Sequence, residues 1–280
     1  MPPNRTFDLE RKTKAYFVFG AAMYLFFYRL ISSSMLAQMD HPLFLYGQTE
    51  TVYRLFLMSG IPQFITSNAV FSALCDISLL VFTIGFLLSD RRIFAVLFSI
   101  MVLNYFLTYN LVTGHHYHGM AGLLIISIPF WFKDKERFNL LWQGARYYLF
   151  YVFVSAALWK IFRGSVFYTD QLSNILKAQH VTLLLQNGDI FRAHLAQYLI
   201  AHPGVSHIVL MVNVLLQLSF AIGFFTRKYD IPLLILAIVF TWANFFVMSI
   251  ISAELLILTL ALLDWDKVID YLIRKEVITD

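Results

Sequence analysis

Eight apolar runs follow one another along this chain, near residues 15–36, 67–88, 93–112, 119–132, 145–163, 205–225, 231–249 and 252–264. A helix needs about 20 mostly apolar residues to cross a bilayer, with about 17 as the lower end. Six of the runs reach that length; the two at 119–132 and 252–264 cross only if helped by their flanks, tilted or re-entrant. The pattern predicts an all-α, polytopic transmembrane bundle of about eight helices in a single integral membrane domain, 1–280. Composition points the same way: 14% of the 280 residues are charged, where a soluble domain carries about 25%.

The charges between the runs support the same count. With a cytoplasmic N-terminus, the inside segments 1–14, 89–92, 133–146, 226–229 and 264–280 hold fifteen of the 21 Lys and Arg residues. The outside segments hold Arg54, Arg163, Lys177 and Arg192, and Arg29 and Lys160 stand within runs. Strict alternation over eight crossings therefore obeys the positive-inside rule and places both termini in the cytoplasm. The net charge of +4 lies in short clusters between apolar runs rather than in a patch, which argues against a nucleic-acid partner. The start, "RKTKAYFVFGAAMYLFFYRLISSSMLAQ", has the basic lead of a signal peptide but too long an apolar run, so it is expected to be an uncleaved first helix. Cys75 is the single cysteine and sits in an apolar run, which excludes a disulfide framework and a zinc–thiolate cluster.

Two outside segments are long, 37–66 and 164–204. Both carry apolar residues at helical spacing, as in "ETVYRLFLMSGIPQFI" and "LSNILKAQHVTLLLQNGDIFRAHLAQYLI", so short amphipathic helices are expected on the outer surface. Pro42, Pro62, Gly188 and Pro203 punctuate them.

Polar residues within the runs are costly, about 2.5–3.5 kcal/mol for a charge at a helix centre, so their depth is informative. By this topology Arg29, Asp76, Asn104, Asn110, Lys160, Asn213, Gln217, Asn244 and Glu254 all lie in the middle or outer part of their helices. The expectation is a polar, outward-opening cavity. A transport path would need polar groups continuing to the inner side. Each residue also has a structural reading. Arg29 and Asp76 are expected to neutralise each other between helices 1 and 2. Lys160 either snorkels to the headgroups or works in the cavity. Asn104, Asn213, Gln217 and Asn244 suit interhelical hydrogen bonds as well as ligand contacts, and Glu254 suits a helix N-terminus.

The segment "TGHHYHGM", 113–120, puts His115, His116 and His118 between two glycines at the outer boundary. Spacing of three lets His115 and His118 share a helix face, as metal ligands do. No cysteine is near, and the remaining histidines, His41, His180, His194, His202 and His207, are scattered, so no metal is assigned. Interfacial polarity and proton transfer at a cavity rim both remain open for these side chains.

Two stretches carry a family resemblance. "YYLFYVFVSAALWKIFRGSVFY", 147–168, resembles the lysine-bearing helix of the vitamin K-dependent gamma-carboxylase-like proteins, the HTTM group, and "TGHHYHGMAGLL" resembles their His-x-Tyr segment before a Leu-rich helix. The resemblance covers most of the chain in layout and about thirty residues in motif. It implies that Lys160 matches the lysine proposed as base toward a vitamin K-like hydroquinone, and that His115 and Tyr117 match the His-x-Tyr pair. It also implies a bacterial inner-membrane location, after the short bacterial members of the group. The chain departs from the pattern at Ser155, Ala156 and Ala157 in place of Gly, and at Phe167 or Tyr168 in place of Trp. It departs again at Gln217 in place of Glu and Asn244 in place of His, and it has no counterpart of the lumenal domain.

Two functions follow as expectations. In the first, a membrane enzyme uses a quinone-like lipid cofactor to modify an exported peptide or small molecule. Lys160 acts as base and His115 as relay, while His116, Tyr117, His118, Asn104, Arg29, Asp76, Trp159, Asn213, Gln217 and Asn244 line or orient the site. In the second, an accessory membrane protein holds a lipid or an exported, toxin-like peptide without chemistry.

Overall fold

Lys, Arg, Glu and Leu are good helix formers, so the polar lead before residue 15 has no reason to stay a loop. In the computed structural model, which describes residues 3–39, 51–113, 120–180, 184, 190–248 and 253–274, helix α1 runs from Pro3 to Ile31. This corrects the expected start at 15. The lead also packs: Arg11, Thr13 and Lys14 are buried. Arg11 donates to both carboxylate oxygens of Asp90, at 2.7 and 2.8 Å, and Lys14 pairs with Glu10. The Lys14 ammonium lies 4.7 Å from the Trp142 ring and 5.7 Å from the Trp265 ring, where aromatic faces attract a cation.

Helix α1 ends at a serine turn. Ser33 takes a left-handed φ of 53°, and the Ser32 and Ser34 hydroxyls donate to Arg29 O. A 3-10 turn, Leu36–Gln38, follows. The segment expected as outer amphipathic structure holds α2 (Thr51–Met58) and α3 (Ile61–Ser67), joined at Gly60, whose φ of 73° suits glycine. Asn68 caps α4 (Ala69–Ser89) by accepting from Val70 N at 2.9 Å. Then come α5 (Arg92–Thr113), α6 (Met120–Ser127) with a 3-10 turn through Pro129, and α7 (Lys135–Phe162). The second segment expected on the outer side holds α8 (Gln171–Gln179) and α9 (Ile190–Ala201). Pro203 opens α10 (Pro203–Ser219), where its missing N–H costs nothing. Helices α11 (Asp230–Met248), α12 (Ala253–Leu256) with a 3-10 continuation to Leu262, and α13 (Trp265–Arg274) complete the chain. A hydrogen bond from Lys267 holds the Asp264 carboxyl before α13 below its ordinary pKa.

The fold is all-α, with no strand among the described residues. Each of the eight apolar runs is helical over most of its described residues. Among the described residues five stretches are long and apolar enough to cross a membrane: Phe7–Gln38, Ala69–Ser89, Arg92–Leu111, Pro203–Phe224 and Asp230–Met248. Met120–Trp131 and Ala253–Leu262 are shorter, as expected, and α7 carries Arg146 and Lys160 in its apolar part.

The residues group into two compact units, 1–146 with 252–280, and 147–251. Helix α7 gives its first turns to one and the rest to the other. The first unit centres on fully buried Phe19, Phe86, Phe98 and Phe130; the Phe19 ring lies 4.4, 5.2 and 5.4 Å from the other three. Here α6 meets α12 at Gly122, where a Cβ would stand 2.6 Å from Glu254 O. In the second unit Phe153 stacks on Phe220 at 4.0 Å and meets Phe240 edge-on at 5.1 Å, while Gly223 leaves room for the Phe150 ring.

Two glycine substitutions separate packing from helix propensity. Gly122→Ala drives a methyl into backbone and should destabilise by about 1–3 kcal/mol. Gly144→Ala, on the exposed face of α7 with nothing within 4 Å, should instead stabilise by about 0.5–1 kcal/mol. Thermal unfolding in detergent reads both; equal effects would contradict the close approach of α6 and α12.

Candidate functional site

In the second unit, helical spacing sets Asn213 and Gln217 one turn apart on the same face of α10. Lys160, in the last turn of α7, donates to Gln217 Oε1 at 2.8 Å and to Ala156 O at 3.3 Å. Asn213 Nδ2 faces Asn244 Oδ1 of α11 at 3.4 Å, and Asn213 Oδ1 is buried with no hydrogen-bond partner. These four side chains line a partly open cavity of about 330 Å3, which is otherwise apolar, with Leu172 and Ile175 from α8, Val209 and Leu216 from α10, and Phe240 and Val247 from α11. Ligand sites have this make-up: a large apolar lining with a few convergent polar groups.

The electrostatics are unusual for a lysine in apolar surroundings. A buried ammonium is ordinarily answered by a carboxylate. Among the described residues Lys160 has no acidic partner, only a carboxamide and a helix carbonyl. An ammonium has three donors, and two are used here.

Lys160, Asn213, Gln217 and Asn244, expected at a common cavity, are brought together. Trp159 is not: it is 58% exposed, lies under the Arg163 guanidinium at 4.3 Å and does not line the cavity. The reason is helical: neighbouring residues point about 100° apart, so adjacency to Lys160 in sequence removes Trp159 from its face. Arg29, Asp76 and Asn104 belong to the first unit. His115, His116, Tyr117 and His118 lie outside the described residues.

The expected Arg29–Asp76 pair is corrected. Arg29 Nε donates to Glu254 Oε1 at 3.1 Å, and a terminal guanidinium nitrogen pairs with the same oxygen. The guanidinium also stacks over the Tyr109 ring at 5.0 Å. Asp76 instead accepts from the backbone of Leu36 and Ala37, at 3.2 and 3.0 Å. The serine turn after α1 delivers those two amides to Asp76, and the first turn of α12 delivers Glu254 to Arg29. Asn104 is half-buried on α5.

One residue of the second unit escaped the sequence reading. His180, noted there only as a scattered histidine, is buried and holds Val247 O at 2.8 Å, so its Nε2 carries the proton. Val247 is in the last turn of α11, where carbonyls lack helical partners. The available signal was its place at the end of α8.

If Gln217 is the polar answer to Lys160, Gln217→Leu should cost about 1.5–3 kcal/mol, the worth of a hydrogen bond to a charge. Adding Lys160→Met should recover most of that loss in chemical denaturation. Additive losses would mean that the two side chains do not depend on each other.

Comparison with protein-family models, with curated proteins and with solved structures gave no match.

Proposed function

We propose that this is an integral membrane protein of the bacterial inner membrane, with cytoplasmic termini, whose second unit binds a lipid-soluble ligand with an oxygen head. The observation that carries the reading is Lys160, held by Gln217 rather than by a carboxylate at the wall of an apolar cavity. A cation without a counter-charge favours an acidic or anionic oxygen, and the apolar wall favours a ligand delivered from the bilayer. A hydroquinone suits both demands and would supply an acidic phenolic hydroxyl and reducing equivalents. Lys160 is placed to hold that oxygen with the third N–H of its ammonium, and only as the neutral amine would Nζ take the hydroxyl's proton. Gln217 orients the lysine, and Asn213 Oδ1, buried without a partner, offers an acceptor to a ligand hydroxyl. In the enzymatic form of this reading the bound quinol drives modification of an exported peptide or small molecule.

The second reading, holding without turnover, rests on one observation. Lys160 is the only titratable side chain among the described residues that line the cavity. Gln217 and Asn244, where the resembling family carries Glu and His, offer hydrogen bonds but no proton transfer.

Lipids extracted from the protein purified in mild detergent should contain a quinone at a stoichiometric level. Lys160→Ala should lower that content at least about tenfold, given 1.5–3 kcal/mol for a hydrogen bond to a charge, while Lys177→Ala, on the exposed face of α8, should leave it unchanged. A folded Lys160→Ala protein with normal lipid content and activity would sink the proposal. Loss of activity with ligand retained would support the enzyme, and a retained peptide without quinone would support the holding protein.

A further inference from the structure

A second lipid-facing feature lies in the first unit, where α1 and α4 border a groove of about 210 Å3 lined by Lys12, Tyr16, Leu88, Ser89 and Asp90 among others. We propose that this groove binds the phosphate headgroup of an anionic phospholipid. The charge distribution argues for it. Asp90 is the acid in the lining, and the buried Arg11 answers its carboxylate with two hydrogen bonds, at 2.7 and 2.8 Å. Lys12 therefore stands in the groove with its charge unanswered: it is exposed and has no ion-pair partner among the described residues. Arg91 and Arg92 follow directly on Asp90, both exposed and both without a carboxylate partner among the described residues. One cation thus lines the groove and two more follow in sequence on its carboxylate, which is already neutralised. The Tyr16 hydroxyl adds a donor suited to a phosphate oxygen.

The occupant is a lipid rather than a free phosphate because the groove continues into apolar surface. Val81, Ile84 and Leu88 are spaced three and four apart, so they share one face of α4, and all three are exposed, Leu88 by 84%. They form a stripe leading away from the basic end of the helix, along which an acyl chain lies when the headgroup is held. Both bordering helices are long and apolar enough to cross a membrane, and the groove lies where α4 ends. Basic pockets between spanning helices are where acidic headgroups bind, each Lys or Arg near the surface contributing about fivefold in affinity.

The test uses the full chain in mixed micelles of equal phosphatidylglycerol and phosphatidylcholine, with retained lipid read by native mass spectrometry. Phosphatidylglycerol should be retained preferentially. Lys12→Gln should weaken that retention about fivefold and Arg91→Gln with Arg92→Gln should weaken it further. Leu88→Glu, a change at an exposed side chain, should repel the headgroup while leaving the fold intact. Lys133→Gln with Lys135→Gln, equally exposed cations of the same unit, should change nothing. Lys160→Ala should also leave retention unchanged, which separates this site from the cavity of the second unit. Equal retention of the two lipids would overturn the proposal, as would an equal loss in the Lys133 and Lys135 variant. So would displacement of phosphatidylglycerol by excess inorganic phosphate, which would mark a site for the free anion.

Discussion

A charge carried into apolar surroundings has to be answered there, because removing one partner of a buried pair costs about 3–5 kcal/mol. That constraint organises the first unit. Arg11 meets Asp90, Lys14 meets Glu10 among aromatic rings, and Arg29 meets Glu254. Two of the pairs join α1 to residues remote in the chain and the third braces α1 itself, each fixing a partner by direction as well as by charge. Asp76 follows the same logic with backbone amides in place of a cation. Against this background the second unit stands apart. Among the described residues its Lys160 has only neutral oxygens for partners, and it has them at the wall of a cavity. The same physics that makes the first three cations structural is what the proposed ligand would satisfy at the fourth.

The all-α class was legible because each apolar run has helical length, but the count was not: the described residues form thirteen α-helices, and five stretches among them, where six runs were expected, are long and apolar enough to cross a membrane. The short helices between the long runs were legible from spacing, and Pro62, Pro203 and Asn68 stand at helix N-termini as their backbone chemistry favours. Of the polar residues expected at one cavity, Lys160, Asn213, Gln217 and Asn244 do line one, whereas Arg29, Asp76 and Asn104 belong to the other unit.

Direction around the helix axis could not be read in the same way. Asp76 matched Arg29 in depth and sign, yet the pairing depends on which faces meet, and Glu254 lies 225 residues away in the chain. Trp159 failed for the same reason at shorter range. The polar lead of α1 failed differently: charges near a membrane boundary resemble a loop until their partners are known, and Asp90 and Trp265 are remote in sequence. The boundary between the units escaped notice because it falls inside one continuous helix, α7, with no turn residue to mark it.

The span of 225 residues between Arg29 and Glu254 also bears on how the protein is made. Synthesis runs from the N-terminus at about 5–20 residues per second, so roughly 11–45 s separate the two residues. During that interval α1 is already complete and its guanidinium has yet to meet its carboxylate, while the whole of the second unit is produced in between. The first unit therefore cannot close by growing outward from its own N-terminal helices. Its Arg29–Glu254 pair forms only when the helices that follow the second unit in the chain arrive.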